Sequence, residues 1–249
     1  MKRFFLILMA LMLPAAALAQ PLTLAEDLTG SIPWYRHEGD SEPAYVYTYA
    51  YPQVQGEGDD VESINEYYRY TVEDTEAFTV PINGEQLPED ALPSTTEVSY
   101  TVTLNDDQYF SVWVTRASVM NGERQSACSA QIFSRSGEKP GGVVTLPYIL
   151  GILQATEDDA WLQDRQTAKA EACVRAMVWE ALEERMDDGE VFLDDVDEEA
   201  LGFLLYPEED FYLDEAGNAV FFFQPGDVKP EAEGPVLVPI PLEDILDEL

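Results

Sequence analysis

Residues 98–114, VSYTVTLNDDQYFSVWV, decide the fold of this chain. Apolar and polar residues alternate on both sides of a polar turn at 105–107. The apolar positions of the first arm are Val98, Tyr100, Val102 and Leu104, and those of the second arm are Phe110, Val112 and Val114. Because successive side chains of a strand point to opposite faces, this spacing predicts a β-hairpin with one apolar face.

Further strands are predicted around this hairpin. A third strand continues its period through Cys128, Ala130 and Ile132. Residues 44–51 alternate aromatic with small residues, which predicts one side of a half-buried strand; a stacking platform for a sugar or a protein-contact face is the alternative. A second hairpin is expected at 211–213 and 219–223, and a last strand at 236–240.

Helical spacing frames these strands. A helix is predicted over about 60–78, followed by a linker through 81–93. A long helix is expected to begin at 156–159, where Thr156 is the N-cap and acids fill the first turn, and to end at Gly189, with shorter helices at 194–205 and 242–249. The fold class is therefore α+β: a mainly antiparallel sheet, meander plus C-terminal hairpin, packed against a long helix and shorter helices. Trp113 lies opposite Val112 and Val114 in parity, on a face that the long helix would cover.

The charge balance excludes several functions. The 249 residues include 13 Lys and Arg against 49 Asp and Glu, a formal net charge of -36. Such a chain cannot neutralise nucleic-acid phosphates, and anionic membrane surfaces repel it. With His37 as the single histidine and two cysteines, His-rich or Cys-rich metal sites and most Ser–His catalysis are excluded as well.

The N-terminus has the pattern of an export signal. Lys2 and Arg3 precede an apolar run at 4–16, and Ala17-Leu18-Ala19 is typical of a cleavage site before Gln20. An uncleaved anchor helix is the alternative. The sequence thus predicts a signal peptide at 1–19, no membrane span after its cleavage, and an extracytoplasmic location, secreted or periplasmic. Residues 20–43, which include His37, are expected to form a leader with little regular structure.

Cys128 and Cys173 would meet an oxidising compartment after export, and only one intramolecular pairing exists for them. A disulfide between Cys128 and Cys173 would contribute roughly 4 kcal/mol in the chain-entropy model. Two small buried thiols are the alternative.

No residue pattern points to catalysis or to a cofactor. The acidic runs 187–190 and 194–199 lack the alternating acids, central Gly and final Glu of an EF-hand loop, so helix ends in solvent are the simpler interpretation. Weak calcium association through charge density stays open. We name no catalytic residue, no metal ligand, no cofactor and no binding residue from the sequence.

Two parts of the chain resemble known domain families. The aromatic strand around 219–223, the spaced Pro and Gly residues of 225–235 and the strand ending at Pro241 resemble the end of the DUF3298 family, which includes RsiV-type C-terminal domains. Tyr51-Pro52-Gln53-Val54 leading to Ile64-Asn65, with Phe110–Val112, Gly137 and 145–150 downstream, resembles the DUF4163 module of PdaC-type proteins. The resemblance implies a DUF4163-like module at 44–155 and a DUF3298-like module at 156–249.

The resemblance also suggests a function. A relative in this family is a membrane-anchored anti-sigma factor whose outer domain binds lysozyme, so the resemblance implies an exported, non-catalytic module for a cationic protein such as lysozyme. Two departures stand out: Ser126-Ala127-Cys128 replaces a frequent Gly-Ala-His, and Gly226-Asp227 replaces a frequent Tyr-Glu. Any role of that His or Tyr does not transfer.

Three interpretations of the acidity remain open at this level. Negative charge steers a basic partner and speeds its encounter. The same charge would also merely keep an exported protein soluble. A cell-wall or carbohydrate-directed accessory domain, or a hydrolase with paired carboxylates, is the alternative function.

Overall fold

The computed structural model describes residues 20–137, 140–152 and 160–249. The predicted signal peptide and the predicted helix start at 156–159 lie outside these residues. Within them the fold is α+β with mainly antiparallel sheets packed against one long helix and shorter helices, which confirms the predicted fold class. No helix in the described ranges combines the length and the apolar character that a membrane crossing requires.

A five-stranded sheet forms the centre of the N-terminal part. Its strand order is β2-β3-β5-β6-β7, and all neighbours are antiparallel except β3 and β5. A short pair of strands, β1 and β4, lies beside it. The bounds are β1 Thr23–Leu24, β2 Leu28–Trp34, β3 Tyr45–Tyr51, β4 Val54–Gln55, β5 Ser94–Asn105, β6 Tyr109–Met120 and β7 Glu123–Ser134.

The parallel β3–β5 pair requires a crossover, which a continuous helical run supplies. It consists of α1 Asp59–Asp74, a π-helical segment Thr75–Thr79 and α2 Val80–Glu85. The predicted helix over 60–78 is confirmed, but the predicted linker is wrong at its start because the helix continues through Pro81. The wider π turn, in which Val80 N bonds to Thr75 O, precedes the proline, so Pro81 stands in the first turn of α2, where its missing N–H is tolerated.

The first hydrophobic core lies between this helical run and the sheet. Tyr45, Tyr47 and Tyr51 are 0–4% exposed and pack with Ile64 and Tyr68 of α1. The simpler interpretation of the tyrosine strand, one side of a half-buried strand, is therefore confirmed. The Tyr45 hydroxyl meets the hydrogen-bonding need of a buried phenol by donating to Thr96 Oγ1 at 2.8 Å.

A three-stranded sheet, order β10-β9-β8, builds the second core with the C-terminal helices. Its strands are β8 Phe211–Leu213, β9 Asn218–Phe223 and β10 Val236–Pro241. The helices are α3 Leu146–Ile149, α4 Ala160–Asp187, α5 Glu198–Leu204 and α6 Leu242–Glu248. Gly189, with φ of 92°, follows the end of α4 as predicted, and Asp197 caps α5 by accepting a bond from Ala200 N at 2.8 Å.

The small sheet lies between the large sheet and α4. Phe221 and Phe223 face α4, whereas Phe222 and Tyr212 contact the Trp113 ring at centroid distances of 4.7 and 5.2 Å. The expectation that the long helix covers Trp113 is therefore wrong. The three consecutive phenylalanines of β9 make this strand apolar on both faces, so it can be sandwiched between two layers.

The hairpin is apolar on both faces rather than one. Residues that pair directly across a ladder share a face, and Ile132 pairs with Ser111 while Ala130 pairs with Trp113. The apolar positions of β7 therefore face the small sheet, opposite Val112 and Val114. A register shift between Val102 and Leu104 turns Leu104 to the same second core.

Residues 20–43 are not the unstructured leader that the sequence suggested. They contain β1 and β2, and β2 pairs with β3 along its whole length, from Leu28 opposite Tyr51 to Trp34 opposite Tyr45. Leu28, Ile32 and Trp34 alternate and pack on the first core, and Pro33 is tolerated because β2 is an edge strand. His37 follows β2 in an exposed turn.

Candidate functional site

A groove of about 500 Å³ lies between the end of α2 and the strands of the large sheet. We call it the polar groove. Hydroxyl and amide side chains dominate its walls, among them Thr79, Asn83, Gln86, Thr96, Ser118 and Gln125. Its described lining contains no Asp or Glu, although one residue in five of the chain is acidic. The groove thus differs from the rest of the surface in charge.

Arg116 is the one cation in the described lining of the polar groove. It follows the buried Val112 and Val114 on the same face of β6, at the point where this face of the strand becomes exposed. Within the described ranges its guanidinium forms no ion pair and no hydrogen bond. By contrast, Arg69, Arg135, Arg175 and Arg185 each pair with a carboxylate. Arg116 is therefore available to a ligand.

A hydrogen-bonded chain crosses the floor of the polar groove. Asn83 Nδ2 donates to the Tyr45 hydroxyl at 3.2 Å, and that hydroxyl donates to Thr96 Oγ1. Thr96 Oγ1 lies 2.9 Å from Ser118 Oγ. Because these bonds link α2 with β3, β5 and β6, the two walls are held at a fixed separation.

A second distinct surface surrounds α5. No Lys, Arg or His occurs between Arg185 and Lys229 in the sequence. In this stretch Phe203 and Tyr206 are 74% and 62% exposed, next to five exposed carboxylates. We call this set the acidic α5 surface: Asp194, Asp195, Asp197, Glu198, Glu199, Phe203 and Tyr206.

Arg185 and Lys229, the cations at the two ends of this stretch, are both neutralised by Glu190. Glu190 accepts from Arg185 at 2.6 Å and pairs with Lys229 at 2.6 Å. Hydrogen bonds from Arg185 and then Lys229 lower the pKa of the Glu190 carboxyl to about 2. The acidic α5 surface consequently has no free cation beside it in the described part of the chain to weaken its field.

Glu171 and Glu208 form one interacting pair of carboxyls among the described residues. Burial raises the pKa of Glu208, and a hydrogen bond with Glu171 raises it further, while Arg175 opposes both. Glu208 lies at a small pocket of about 190 Å³, not at the polar groove. In the described ranges, no three His, Cys, Asp or Glu side chains converge on a point where a metal ion could be held. Calcium association at 187–190 or 194–199 stays a prediction.

The predicted disulfide is absent from the structure, in which Cys128 and Cys173 are free thiols. Cys128 lies on β7 and its Sγ donates to Gln224 Oε1 at 3.4 Å. Cys173 lies on α4, where its Sγ is 3.9 Å from Met177 Sδ. The small sheet separates the face of β7 from α4, so each thiol has a different neighbour. The alternative of two small buried thiols holds for Cys128, which is buried, but not for Cys173, which is half-buried.

The sequence did not predict the polar groove, because the walls of the groove come from segments far apart in the chain. One local signal was available. Arg116 continues the parity of Phe110, Val112 and Val114, so the hairpin pattern places a charge on the core-facing side of β6. A charged residue at a position where the pattern expects an apolar one indicates that this part of the strand is not buried in the core.

The fold and these two surfaces define an α+β protein in which a three-stranded sheet lies on a five-stranded sheet. Residues 162–243 match the DUF3298 family, described as a protein of unknown function. This match covers α4, α5 and the small sheet except for the first two residues of α4. None of the functionally curated proteins matches the chain.

Two solved structures share the fold. One is a DUF3298 family protein from Pseudomonas aeruginosa PAO1, 14% identical, with a TM-score of 0.52 over 93% of this chain and 95% of that one. The other is a member of the DUF3298 family from Bacteroides fragilis NCTC 9343, 14% identical, with a TM-score of 0.51 over 91% of this chain and 92% of that one. The resemblance of residues 44–155 to DUF4163 stays a prediction.

Proposed function

We propose that this chain is an exported, non-catalytic binding protein whose partner is a cationic protein such as lysozyme. The observation that carries the proposal is the acidic α5 surface, where exposed aromatic side chains stand among carboxylates that have no neighbouring free cation in the described residues. Export is inferred from the signal-peptide pattern of residues 1–19.

Charge supplies attraction and orientation. A chain with a formal net charge of -36 attracts a basic protein, and the attraction acts over roughly 10 Å at 0.1 M salt. Such steering raises the association rate more than the final affinity. Contacts at short range must therefore hold the partner.

Phe203 and Tyr206 supply these contacts in the proposal. Large aromatic side chains are enriched among the residues that dominate binding energy at protein interfaces. Phe203 is 74% exposed, although burial of such a side chain is favourable by roughly 2 kcal/mol. A partner that covers Phe203 and Tyr206 while placing Lys or Arg beside Glu198 and Glu199 satisfies both features of the surface.

The test is calorimetric titration of the chain from Gln20 onward with c-type lysozyme, at about 50 and about 300 mM salt. Cytochrome c, also small and basic, is the control ligand. We expect binding of lysozyme at both salt concentrations, with cytochrome c binding at the lower one only. Equal binding of the two proteins that disappears at the higher salt would overturn the proposal, since it would show charge attraction without a specific site.

A pair of variants locates the contact. The double variant Phe203→Ser and Tyr206→Ser should weaken lysozyme binding about tenfold or more, the range for residues that dominate an interface. The matched control is Phe78→Ser with Ile82→Ser, since these side chains are 62% and 52% exposed on the helical run far from α5 in sequence. If both double variants bind lysozyme as the unchanged chain does, the acidic α5 surface is not the contact.

A further inference from the structure

The polar groove calls for a ligand of a different charge from the partner of the acidic α5 surface. From the composition of the chain, a lining of its size would contain about three carboxylates, and none stands among the lining residues that the structure describes. We propose that the polar groove binds a carboxylated oligosaccharide of the uronate type, with Arg116 holding the carboxylate. This inference does not depend on the proposed function.

Arg116 sets the charge of the ligand. A guanidinium offers a planar fork of donors that matches a carboxylate with two parallel hydrogen bonds. Within the described residues Arg116 has no competing carboxylate, unlike the other arginines that form ion pairs. A cationic ligand would be repelled by Arg116 and would find no carboxylate among the described lining residues.

The amide and hydroxyl side chains set the rest of the ligand. A sugar hydroxyl both donates and accepts, and Gln, Asn, Ser and Thr side chains do the same. Gln86 on the helical wall and Gln125 on β7 are exposed, and neither side chain makes a hydrogen bond within the described structure. These two amides face the groove from opposite walls and can bind hydroxyls on the two edges of a sugar ring.

The volume of the polar groove and the apolar part of its lining both fit an oligosaccharide ligand. Small-molecule sites have volumes of about 300–1,000 Å³, and the polar groove has about 500 Å³. Leu87, Pro88 and Met120 provide small apolar contacts for the C–H face of a sugar. A peptide with hydrophobic side chains would need a larger apolar pocket than these residues form, so the lining favours a saccharide.

The test uses calorimetry or NMR titration of the chain from Gln20 onward with trigalacturonate. Its fully methyl-esterified form is the control, because esterification removes the charge and keeps the sugar rings. We expect trigalacturonate to bind at least tenfold more tightly than the ester. Absence of trigalacturonate binding, or equal affinity for the acid and the ester, would overturn the proposal.

Matched arginine variants identify the side chain that binds the carboxylate of the ligand. Arg116→Gln should reduce affinity for trigalacturonate at least tenfold and abolish the preference over the ester. Arg124→Gln is the control, since Arg124 is also an exposed β-sheet arginine without an ion pair in the described part of the chain, but it does not line the groove. Loss of trigalacturonate binding in Arg124→Gln to the same extent would overturn the assignment.

A short peptide provides the competing ligand class. Acetyl-Gly-Gly-Ala with a free C-terminal carboxylate is compared with its C-terminal amide under the same conditions. We expect neither to bind measurably at the concentration that saturates with trigalacturonate. Binding of the free-acid peptide without binding of trigalacturonate would overturn the proposal. It would indicate that the ligand of the polar groove is the C-terminal carboxylate of a peptide.

Discussion

The side chain of Gln224 pairs with the backbone of Cys128 as another strand would. Cys128 N donates to Gln224 Oε1 at 2.8 Å, and Gln224 Nε2 donates to Cys128 O at 2.9 Å. β7 is an edge strand, so the outward backbone groups of Cys128 have no neighbouring strand of the same sheet to pair with. Asn65 makes the same reciprocal pair with Val54, and Asn105 makes it with Leu22. Primary amides are used here where strand pairing ends.

Gln224→Glu should destabilise the fold by about 1–3 kcal/mol at neutral pH, because the carboxylate cannot donate to Cys128 O. The nearby Asp227, whose Oδ2 accepts from Gln224 N at 2.9 Å, adds repulsion between like charges. Lowering the pH should recover part of the loss, since the introduced carboxyl group, once protonated, donates again. Urea unfolding at pH 7 and pH 4.5 measures both effects.

Gln166→Glu is the control for this substitution, because Gln166 is exposed on α4 and the change adds the same charge. We expect it to lower the unfolding free energy by less than about 0.5 kcal/mol, as is usual for surface substitutions. Equal losses in both variants would mean that the reciprocal pair with Cys128 contributes nothing beyond general charge repulsion.

Local patterns of the sequence were enough to predict most of the strands and helices. Alternation predicted β3, the β5–β6 hairpin and the C-terminal strands, and Gly189 marked the end of α4. In these segments the periodic apolar residues and the turn residues all favour one structure. The acidic α5 surface can also be traced to sequence, since the absence of cations between Arg185 and Lys229 is visible without coordinates.

Features that depend on non-local pairing could not be predicted. β2 lacks a strong strand pattern and contains Pro33, and it forms because the tyrosine strand offers a free edge. The register shift after Val102 places Leu104 in the second core, and no residue of the hairpin predicts this shift. The polar groove combines α2 with four strands, so its composition emerges only after folding.

The two thiols should differ in reactivity. Burial raises the pKa of Cys128 to about 12, and Asp210 and Asp227 contribute to the rise. At pH 8 only about one Cys128 in ten thousand is then a thiolate, which is the reactive form. Cys173 also has a raised pKa through burial, but it is more accessible than Cys128. Iodoacetamide should therefore modify Cys173 slowly in the native protein and leave Cys128 unmodified.

Mass spectrometry before and after unfolding checks the thiol prediction. Native Cys173→Ser should acquire no label, and both thiols of the unchanged chain should be labelled in denaturant without reductant. An unlabelled protein in denaturant would instead demonstrate a Cys128–Cys173 disulfide. Fast labelling of native Cys128 would contradict its burial against Gln224.

Glu208 should make the protein more stable in mild acid. Its pKa is raised in the folded state by burial and by Glu171, so the folded state binds its proton more tightly than the unfolded state does. The contribution to stability is therefore present below the ordinary Glu pKa of about 4.5 and is lost as the pH rises through the higher folded value. The unfolding midpoint in urea, measured from pH 7 down to pH 5, should rise.

Glu208→Gln should remove this part of the pH dependence and stabilise the protein at pH 7 by a few tenths to about 1 kcal/mol, the scale of a partly exposed charge interaction. Glu215→Gln, in the exposed turn between β8 and β9, removes the same charge from the chain and serves as the control. If the control flattens the pH profile as much as Glu208→Gln does, the contact with Glu171 is not the cause.

Two glycines in helices should respond to alanine in opposite directions. A Cβ on Gly84 of α2 would lie 2.6 Å from Trp34 Cγ and Cε2, so the indole ring of Trp34, which lies on β2, would have to move. Gly84→Ala should lower the unfolding free energy by about 1–3 kcal/mol, the usual cost of overpacking, despite the better helix propensity of alanine. A Cβ on Gly202 of α5 meets no atom within 4 Å. Gly202→Ala should therefore raise the unfolding free energy by roughly 0.5–1 kcal/mol, through propensity alone. Stabilisation by both substitutions in urea unfolding would show that Trp34 does not pack on Gly84, and with it that β2 is not fixed against the helical run.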